Sequence, residues 1–116
     1  MKNVNFEKWI KEVKNYYKLV RFIEENNYDS VPNVTYNFCD LLSEFNEMVL
    51  LYGKSICYIV YVELYIKGKS MAKLAKDLGV SRTYIYKLHK KLLKWLEEIY
   101  NYLIAEEIWW DDINLV

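Results

Sequence analysis

The sequence predicts an all-α fold, a small helical bundle, on three observations. Apolar residues recur at three- and four-residue steps over long stretches, which is the period of one helical face. The 116 residues include only three glycines and one proline, too few turn formers for an all-β sandwich or a Gly-rich phosphate-binding domain. With 53% apolar and 28% charged residues, a chain of this length can bury the core of one ordinary domain.

The first predicted element is an amphipathic helix within residues 1–27. Its apolar and aromatic residues follow one helical stripe: Phe6, Trp9, Ile10, Val13, Tyr16, Tyr17, Val20 and Ile23. Residues 28–37 contain the only proline, Pro32, so we expect regular helix to stop near Asn26 or Asn27. We therefore interpret 28–37 as a linker.

A helical domain is predicted over residues 38–107. Its first helix covers Phe38–Tyr52, and Gly53 is placed to end that helix in the left-handed conformation. The next run, Ile56–Ile66, is rich in β-branched and aromatic residues and has the propensity of a strand. We predict a buried helix there, because no second strand of similar quality exists to satisfy its backbone groups.

The chain ends in a long predicted helix and a short tail. The helix begins at Arg82 and its apolar stripe continues to Ile104, so the extension needs a surface to pack against. That surface is either the N-terminal helix of the same chain or the same helix of a second subunit in a two-fold dimer. Residues 108–116 form an acidic-aromatic tail with Trp109 and Trp110, which either contacts a partner protein or folds over the core.

The formal net charge is zero, yet the charges are unevenly distributed. Residues 1–63 carry 7 basic and 9 acidic side chains, residues 64–94 carry 9 and 1, and residues 95–116 carry 0 and 6. The middle segment therefore has a net charge of +8, between segments of −2 and −6. Such a cationic block indicates either an anionic partner, such as a phosphate backbone, or a solvated lysine-rich face.

The cationic block contains a helix-turn-helix pattern at residues 70–91. The pattern predicts a short helix over Met71–Leu78, a tight turn at Gly79 and a second helix capped by Ser81. Ala75 is small where the two helices approach closely, and glycine takes the positive φ that the turn requires. The residues expected to form the shared core are Leu74, Leu78, Val80, Ile85 and Leu88.

The second helix of this pattern has the side chains that a groove-reading helix needs on its first turns. In this interpretation Arg82 and Lys87 donate to guanine edges of double-stranded DNA, while neighbouring residues offer hydroxyl groups and apolar contacts. The candidate base-contacting residues are Arg82, Thr83, Tyr84, Tyr86 and Lys87. The candidate phosphate-contacting residues are Lys69, Ser70, Lys73, Lys76, Ser81, Lys90, Lys91 and Lys94, together with Lys67.

The stretch YVELYIKGKSMAKLAKDLGVSRTYIYKLHKKLLKWLEE, Tyr61 to Glu98, covers about a third of the chain. It resembles the fourth region of bacterial sigma factors, a helix-turn-helix that reads an upstream promoter element. With Asn15-Tyr16-Tyr17-Lys18-Leu19 in its first helix, the chain is most similar to phage late transcription activators of the ArpU/RinA type. Small YlxM-type helix-turn-helix proteins are a second similar group.

That resemblance implies a sequence-specific, DNA-binding transcriptional regulator of phage or prophage origin. It also implies RNA polymerase as a further partner. The base-reading positions that it implies are Arg82, Thr83, Tyr86 and Lys87.

Other function classes lack the residues they need. Cys39 and Cys57 are too far apart for a CxxC pair and His89 cannot complete a zinc site with them, so we expect neither a metal nor another cofactor. Both thiols are expected to be reduced core residues, and His89 to contact phosphate or lie on the surface. We predict that the protein is not an enzyme, has no membrane contact and is cytoplasmic.

One alternative stays open, a helical protein-protein interaction module in which the helix-turn-helix is only scaffold. DNA binding would depend on Arg82 and Lys87, whereas protein binding would depend on the two tryptophans of the tail or on the Tyr16-Tyr17 face. A homodimer through the N-terminal helix or the long C-terminal helix would predict a palindromic or direct-repeat operator.

Overall fold

The computed structural model describes residues 4–27, 36–52 and 55–114. Every regular element in these ranges is helical and no strand occurs in them, which confirms the all-α prediction. Most of the predicted linker, and Gly53, lie outside the described residues. The elements are α1 (Val4–Glu25), α2 (Tyr36–Tyr52), α3 (Ser55–Tyr61), a π-helical turn (Val62–Ile66), α4 (Met71–Leu78) and α5 (Arg82–Asn114).

α1 is the amphipathic helix that the apolar spacing predicts. Its buried residues recur at three- and four-residue steps and face the core: Phe6, Trp9, Ile10 and Val13. The helix ends where Asn27 takes a positive φ of 55°, a conformation that asparagine tolerates better than most residues. Just before it, the side-chain Nδ2 of Asn26 donates to the carbonyl of Phe22 at 2.8 Å. The helix therefore stops at the predicted point.

The run Ile56–Ile66 is helical, so the choice of a helix over a strand is confirmed. After α3 the chain continues into the π-helical turn, in which the Lys67 N–H donates to the Val62 carbonyl five residues back, at 2.8 Å. This wider turn was not predicted. Its inward side buries Leu64 and Tyr65.

α5 is the central element, and each of the other four α-helices packs on it or on the π-helical turn beside it. Its buried stripe consists of Ile85, Leu88, Leu92, Leu96, Ile99 and Leu103. α1 runs antiparallel to α5, because the rings of Phe6 and Trp9 lie 5.8 and 5.9 Å from the ring of Tyr100, while Lys14, further along α1, lies against Tyr65 beside His89. The extension of α5 thus packs against the N-terminal helix of the same chain. The side chains of Trp109 and Trp110 lie outside the described part.

A chain of hydrogen bonds joins α1, α2 and α3. The Asn46 Nδ2 donates to the Tyr17 hydroxyl at 2.8 Å, and the Asn46 Oδ1 accepts from the Tyr61 hydroxyl at 2.6 Å. Burial raises the pKa of Tyr61, which keeps its hydroxyl neutral and able to donate. Tyr16 packs on the Phe38 ring at 5.5 Å, so the Tyr16-Tyr17 pair is half-buried against α2.

Two predicted core positions are wrong. Leu78 is 40% exposed, because the chain reverses just after α4 and half-buried Val80 folds back over the last turn of that helix instead. Cys39 is exposed, since it lies beside, and not on, the α2 stripe of Leu42, Phe45 and Val49. The second thiol, that of Cys57, is half-buried.

Candidate nucleic-acid interface

α4 and α5 are joined by a three-residue turn that begins at Gly79. Gly79 has the predicted positive φ, 68°, and its N–H donates to the Lys76 carbonyl at 3.2 Å. The Val80 N–H donates to the Ala75 carbonyl at 3.0 Å, which closes a Schellman-type helix end. A Cβ on Gly79 would meet nothing within 4 Å, so the backbone conformation alone calls for glycine.

Both helices begin with a serine cap. The Ser70 Oγ accepts from the Lys73 N–H, and the Ser81 Oγ accepts from the Tyr84 N–H, each at 3.1 Å. The predicted cap at Ser81 is therefore confirmed. Each cap satisfies one of the N–H groups that a helix start leaves unpaired. A capping serine still has a hydroxyl proton to donate, so the predicted phosphate contacts of Ser70 and Ser81 remain compatible with this geometry.

The five candidate base-contacting residues are exposed on the first two turns of α5. Because residues four apart share a helix face, Arg82 lies in one row with Tyr86, and Thr83 lies in another with Lys87. The Tyr84 ring, 46% exposed, flanks the second row. Ile85, on the opposite side of the helix from these rows, is fully buried, and this anchor fixes the rotation of α5 about its own axis.

Further along α5, exposed lysines continue on the Thr83 side, which is turned away from the buried stripe. We call Lys87, Lys90, Lys91 and Lys94 the α5 lysine row. None of the four forms an ion pair with a described side chain, and the same holds for Lys76 and Arg82. These six residues are the uncompensated positive charge of the 64–94 block.

The remaining three basic residues of the block are paired with carboxylates. The Lys69 Nζ lies 2.7 Å from Glu63 and 2.9 Å from Asp77, so it links the π-helical turn to α4. Lys67 pairs with Glu63 at 3.0 Å, and Lys73 with Asp77 at 3.1 Å. Hydrogen bonds from Lys69 hold the pKa of both carboxyls below their usual range, and Glu63 in turn raises the pKa of Lys69. Two predicted phosphate contacts, Lys69 and Lys73, thus already have anionic partners.

His89 is not the surface residue that its lysine neighbours suggest. Its Nε2 lies 2.6 Å from the Tyr65 hydroxyl, and the two rings stack with centroids 5.8 Å apart. Burial and then the charge of Lys14 lower the pKa of His89, while burial raises the pKa of Tyr65 to about 12. The reason for the error is position: residue 89 borders the buried stripe of α5 and faces the π-helical turn.

Sequence reasoning from the motif missed a contact between α1 and the segment before α4. The Arg21 guanidinium donates to the carbonyl of Ile66, at the end of the π-helical turn. Gly68 has a φ of 75°, and a Cβ there would lie 2.5 Å from the Arg21 Nη2. The signal in the sequence is the spacing of Lys11, Lys14, Lys18 and Arg21, which places basic residues along one side of α1.

Comparisons of the chain with protein-family models, with curated proteins and with solved structures give no match. None of the described helices combines the length and the hydropathy needed to cross a lipid bilayer. Among the described residues, His, Cys, Asp and Glu form no group of three or more that is suited to hold a metal ion.

Proposed function

We propose that this chain is a sequence-specific, double-stranded-DNA-binding transcriptional regulator that reads the major groove with α5 from Arg82 onward. In this proposal residues 70–91 act as a helix-turn-helix. The observation that carries it is the start of α5, where polar, aromatic and cationic side chains are exposed in two rows while Ile85 and Leu88 anchor the helix in the core. This combination of a fixed helix and an outward polar surface is what direct readout needs.

The proposed roles follow from the donor chemistry of each side chain. Arg82 and Lys87 donate to the O6 and N7 acceptors of guanine. Thr83, Tyr84 and Tyr86 contribute hydroxyl groups, and their apolar parts contact thymine methyl groups. No step of this recognition needs a metal, a cofactor or a catalytic group, so the proposal is a binding protein and not an enzyme.

Phosphate contacts come from the unpaired lysines in this arrangement, and their number sets the salt dependence. Each neutralised phosphate contributes about −0.9 to the slope of log affinity against log salt concentration. Four contacts from Lys76, Lys90, Lys91 and Lys94 give a slope of about −3.6, which is an affinity loss of about 150-fold for a fourfold rise in salt. Lys69 and Lys73 contribute less to this slope than lysines without ion pairs, because DNA would have to compete with Glu63 and Asp77 for them.

The transcriptional part of the proposal has a different basis. The resemblance of Tyr61 to Glu98 to the fourth region of sigma factors, and of the chain to ArpU/RinA-type activators, supports a role in transcription of phage or prophage genes. RNA polymerase is the further partner that the resemblance implies.

The test is fluorescence anisotropy of the full chain with a labelled pool of mixed-sequence duplexes, at about 50 and about 200 mM salt. Duplexes recovered by repeated selection then provide a preferred site. On that site we expect Arg82→Ala and Lys87→Ala to lose sequence preference, because they remove base contacts. Lys90→Gln is expected to weaken binding to all duplexes and to flatten the salt slope by about 0.9.

The matched control is Lys8→Gln, which removes one exposed positive charge from the opposite end of the α1–α5 pair. Its binding is expected to equal that of the wild type. Equal helical circular dichroism in all variants shows that the fold is kept. No binding by the wild type at micromolar concentration and low salt would refute the proposal. Binding of the selected site by the Arg82 and Lys87 variants with the affinity of the wild type would also refute it.

One observation favours the alternative of a protein-interaction module. The end of α2 exposes three consecutive large apolar residues, Leu50, Leu51 and Tyr52, by 58%, 64% and 70%. Apolar side chains grouped in this way are typical of contact surfaces. If the DNA experiment fails, this end of α2 is the first surface to mutate in a search for a protein partner.

A further inference from the structure

α1 carries a row of basic residues that the helix-turn-helix does not include. Lys11, Lys14 and Lys18 recur at three- and four-residue steps on one side of the helix, and all three are exposed. None of them forms an ion pair with a side chain in the described ranges. Like charges at this spacing repel one another and destabilise a helix. An anionic partner would remove that repulsion.

The antiparallel packing of α1 on α5 places the later part of this row beside the start of α4. The Lys14 Nζ lies 5.5 Å from the centre of the Tyr65 ring, whose hydroxyl bonds to His89. One turn beyond Lys18, the Arg21 guanidinium contacts Ile66 and lies against Gly68, two residues before the cap of α4. Lys8 lies about 15 Å from Lys18 along the helix axis, toward the distal end of α5.

The burial of the other face of α1 decides which anionic partner fits. A basic amphipathic helix binds a membrane surface by inserting its apolar face into the lipid. Here that face is occupied, since Phe6, Trp9 and Val13 are buried in the core. The exposed surface of α1 is mostly charged or polar, with Leu19 and Phe22 as large apolar exceptions, and it adjoins the helix start that a helix-turn-helix protein sets against phosphates.

We propose that Lys14 and Lys18 form a second phosphate-contact site, which extends the DNA footprint past the helix-turn-helix to the backbone that flanks the start of α4. This inference rests on the proposed function and specifies the length of DNA that the protein needs. The helix-turn-helix occupies about one helical turn of the duplex, or about 10 base pairs, within which α5 contacts the bases. The α1 site binds the sugar-phosphate backbone beyond that turn and contributes affinity without sequence preference.

The experiment compares two duplexes that share the selected site, one of about 12 base pairs and one of about 24, in anisotropy titrations with the full chain. The wild type is expected to bind the longer duplex more tightly and with a steeper salt slope. Lys14→Gln/Lys18→Gln is expected to bind the short duplex as the wild type does, and to lose the gain on the long one. Two lost contacts flatten its slope on the long duplex by about 1.8.

Two further variants separate position from total charge. Lys8→Gln and Lys18→Gln each remove one lysine from α1, and we expect only Lys18→Gln to reduce binding to the long duplex. Lys14→Arg/Lys18→Arg, which keeps both charges, is expected to bind as the wild type. If Lys8→Gln and Lys18→Gln bind both duplexes equally well, the proposed phosphate-contact site on α1 is overturned. The Arg82→Ala and Lys87→Ala variants then still show separately whether α5 contacts the bases. Loss of all DNA binding in the wild type overturns both proposals.

Discussion

Alanine at the two left-handed glycines of the described chain is expected to have unequal effects on stability. Gly79 and Gly68 have φ values of 68° and 75°, and a residue with a Cβ pays roughly 1–2 kcal/mol for that conformation. Alanine also lowers the conformational entropy of the unfolded chain, which stabilises the folded state by roughly 0.4–1 kcal/mol. At Gly79 nothing lies within 4 Å of the added Cβ, so Gly79→Ala is expected to cost about 1 kcal/mol in total.

Gly68→Ala has the same backbone cost and a second one. The new Cβ would lie 2.5 Å from Nη2 and 2.6 Å from Cζ of Arg21, so the guanidinium must move and its bond to the Ile66 carbonyl is lost. A hydrogen bond from a charged donor contributes roughly 1.5–3 kcal/mol, and half-exposed Arg21 belongs at the low end of that range. Gly68→Ala is therefore expected to cost about 2.5 kcal/mol, some 1.5 more than Gly79→Ala.

Urea unfolding followed by far-UV circular dichroism measures both costs. In an Arg21→Ala background the hydrogen bond is already absent, so Gly68→Ala is expected to cost only about 1 kcal/mol there. The reasoning is refuted if the two glycine variants differ by less than about 0.5 kcal/mol, or if their difference persists without Arg21.

Three more measurements follow from the contacts around α4 and α5. Leu74→Ala is expected to destabilise the protein by about 2–5 kcal/mol because Leu74 is buried, whereas Leu78→Gln at the exposed end of α4 is expected to change the urea midpoint little; equal effects would contradict the burial of the two residues. Ser81→Ala removes the cap of α5 and is expected to lower the free energy of unfolding by about 1 kcal/mol in the same assay. Ser81→Asp is expected to keep most of that stability, because aspartate is also a good cap. Because the folded state lowers the pKa of His89, the unfolded chain binds protons more readily. The contribution of His89 to the free energy of unfolding is then fully present above the ordinary histidine pKa of about 6.5 and decreases as the pH falls. In His89→Gln the free energy of unfolding is expected to fall less steeply over this pH range, because the titrating group is gone.

Local signals were sufficient to predict most of the helical elements. The bounds of α4, the positive φ of Gly79 and the cap at Ser81 depend on residues within one or two turns of each other, so the sequence contains all the information they need. The helical state of Ile56–Ile66 needed one global argument, the lack of a partner strand. Apolar spacing also identified the inward faces of α1 and α5.

The exposure of Leu78 and Cys39 is decided locally, whereas the errors at His89, Lys69 and Arg21 depend on contacts between distant parts of the chain. Whether Leu78 is buried depends on the path of the chain after α4, and the environment of His89 depends on Tyr65, which lies 24 residues away in the sequence. The bridge from Lys69 to Glu63 and Asp77 joins three segments whose proximity only the folded chain creates. Charge counting therefore predicted the sign of the 64–94 block, and the structure was needed to show which lysines are already paired.

The π-helical turn at Val62–Ile66 determines how α4 is oriented relative to α3. A π turn holds one residue more than an α-helical turn, and one residue corresponds to a rotation of about 100° around a helix axis. These five residues therefore set the direction in which the chain leaves α3 and enters α4. Deleting a single residue here would rotate α4 and the start of α5 about the axis of α3 and change their position relative to α1. The residues of the two proposed DNA contacts, at the start of α5 and at Lys14 and Lys18, would stay the same.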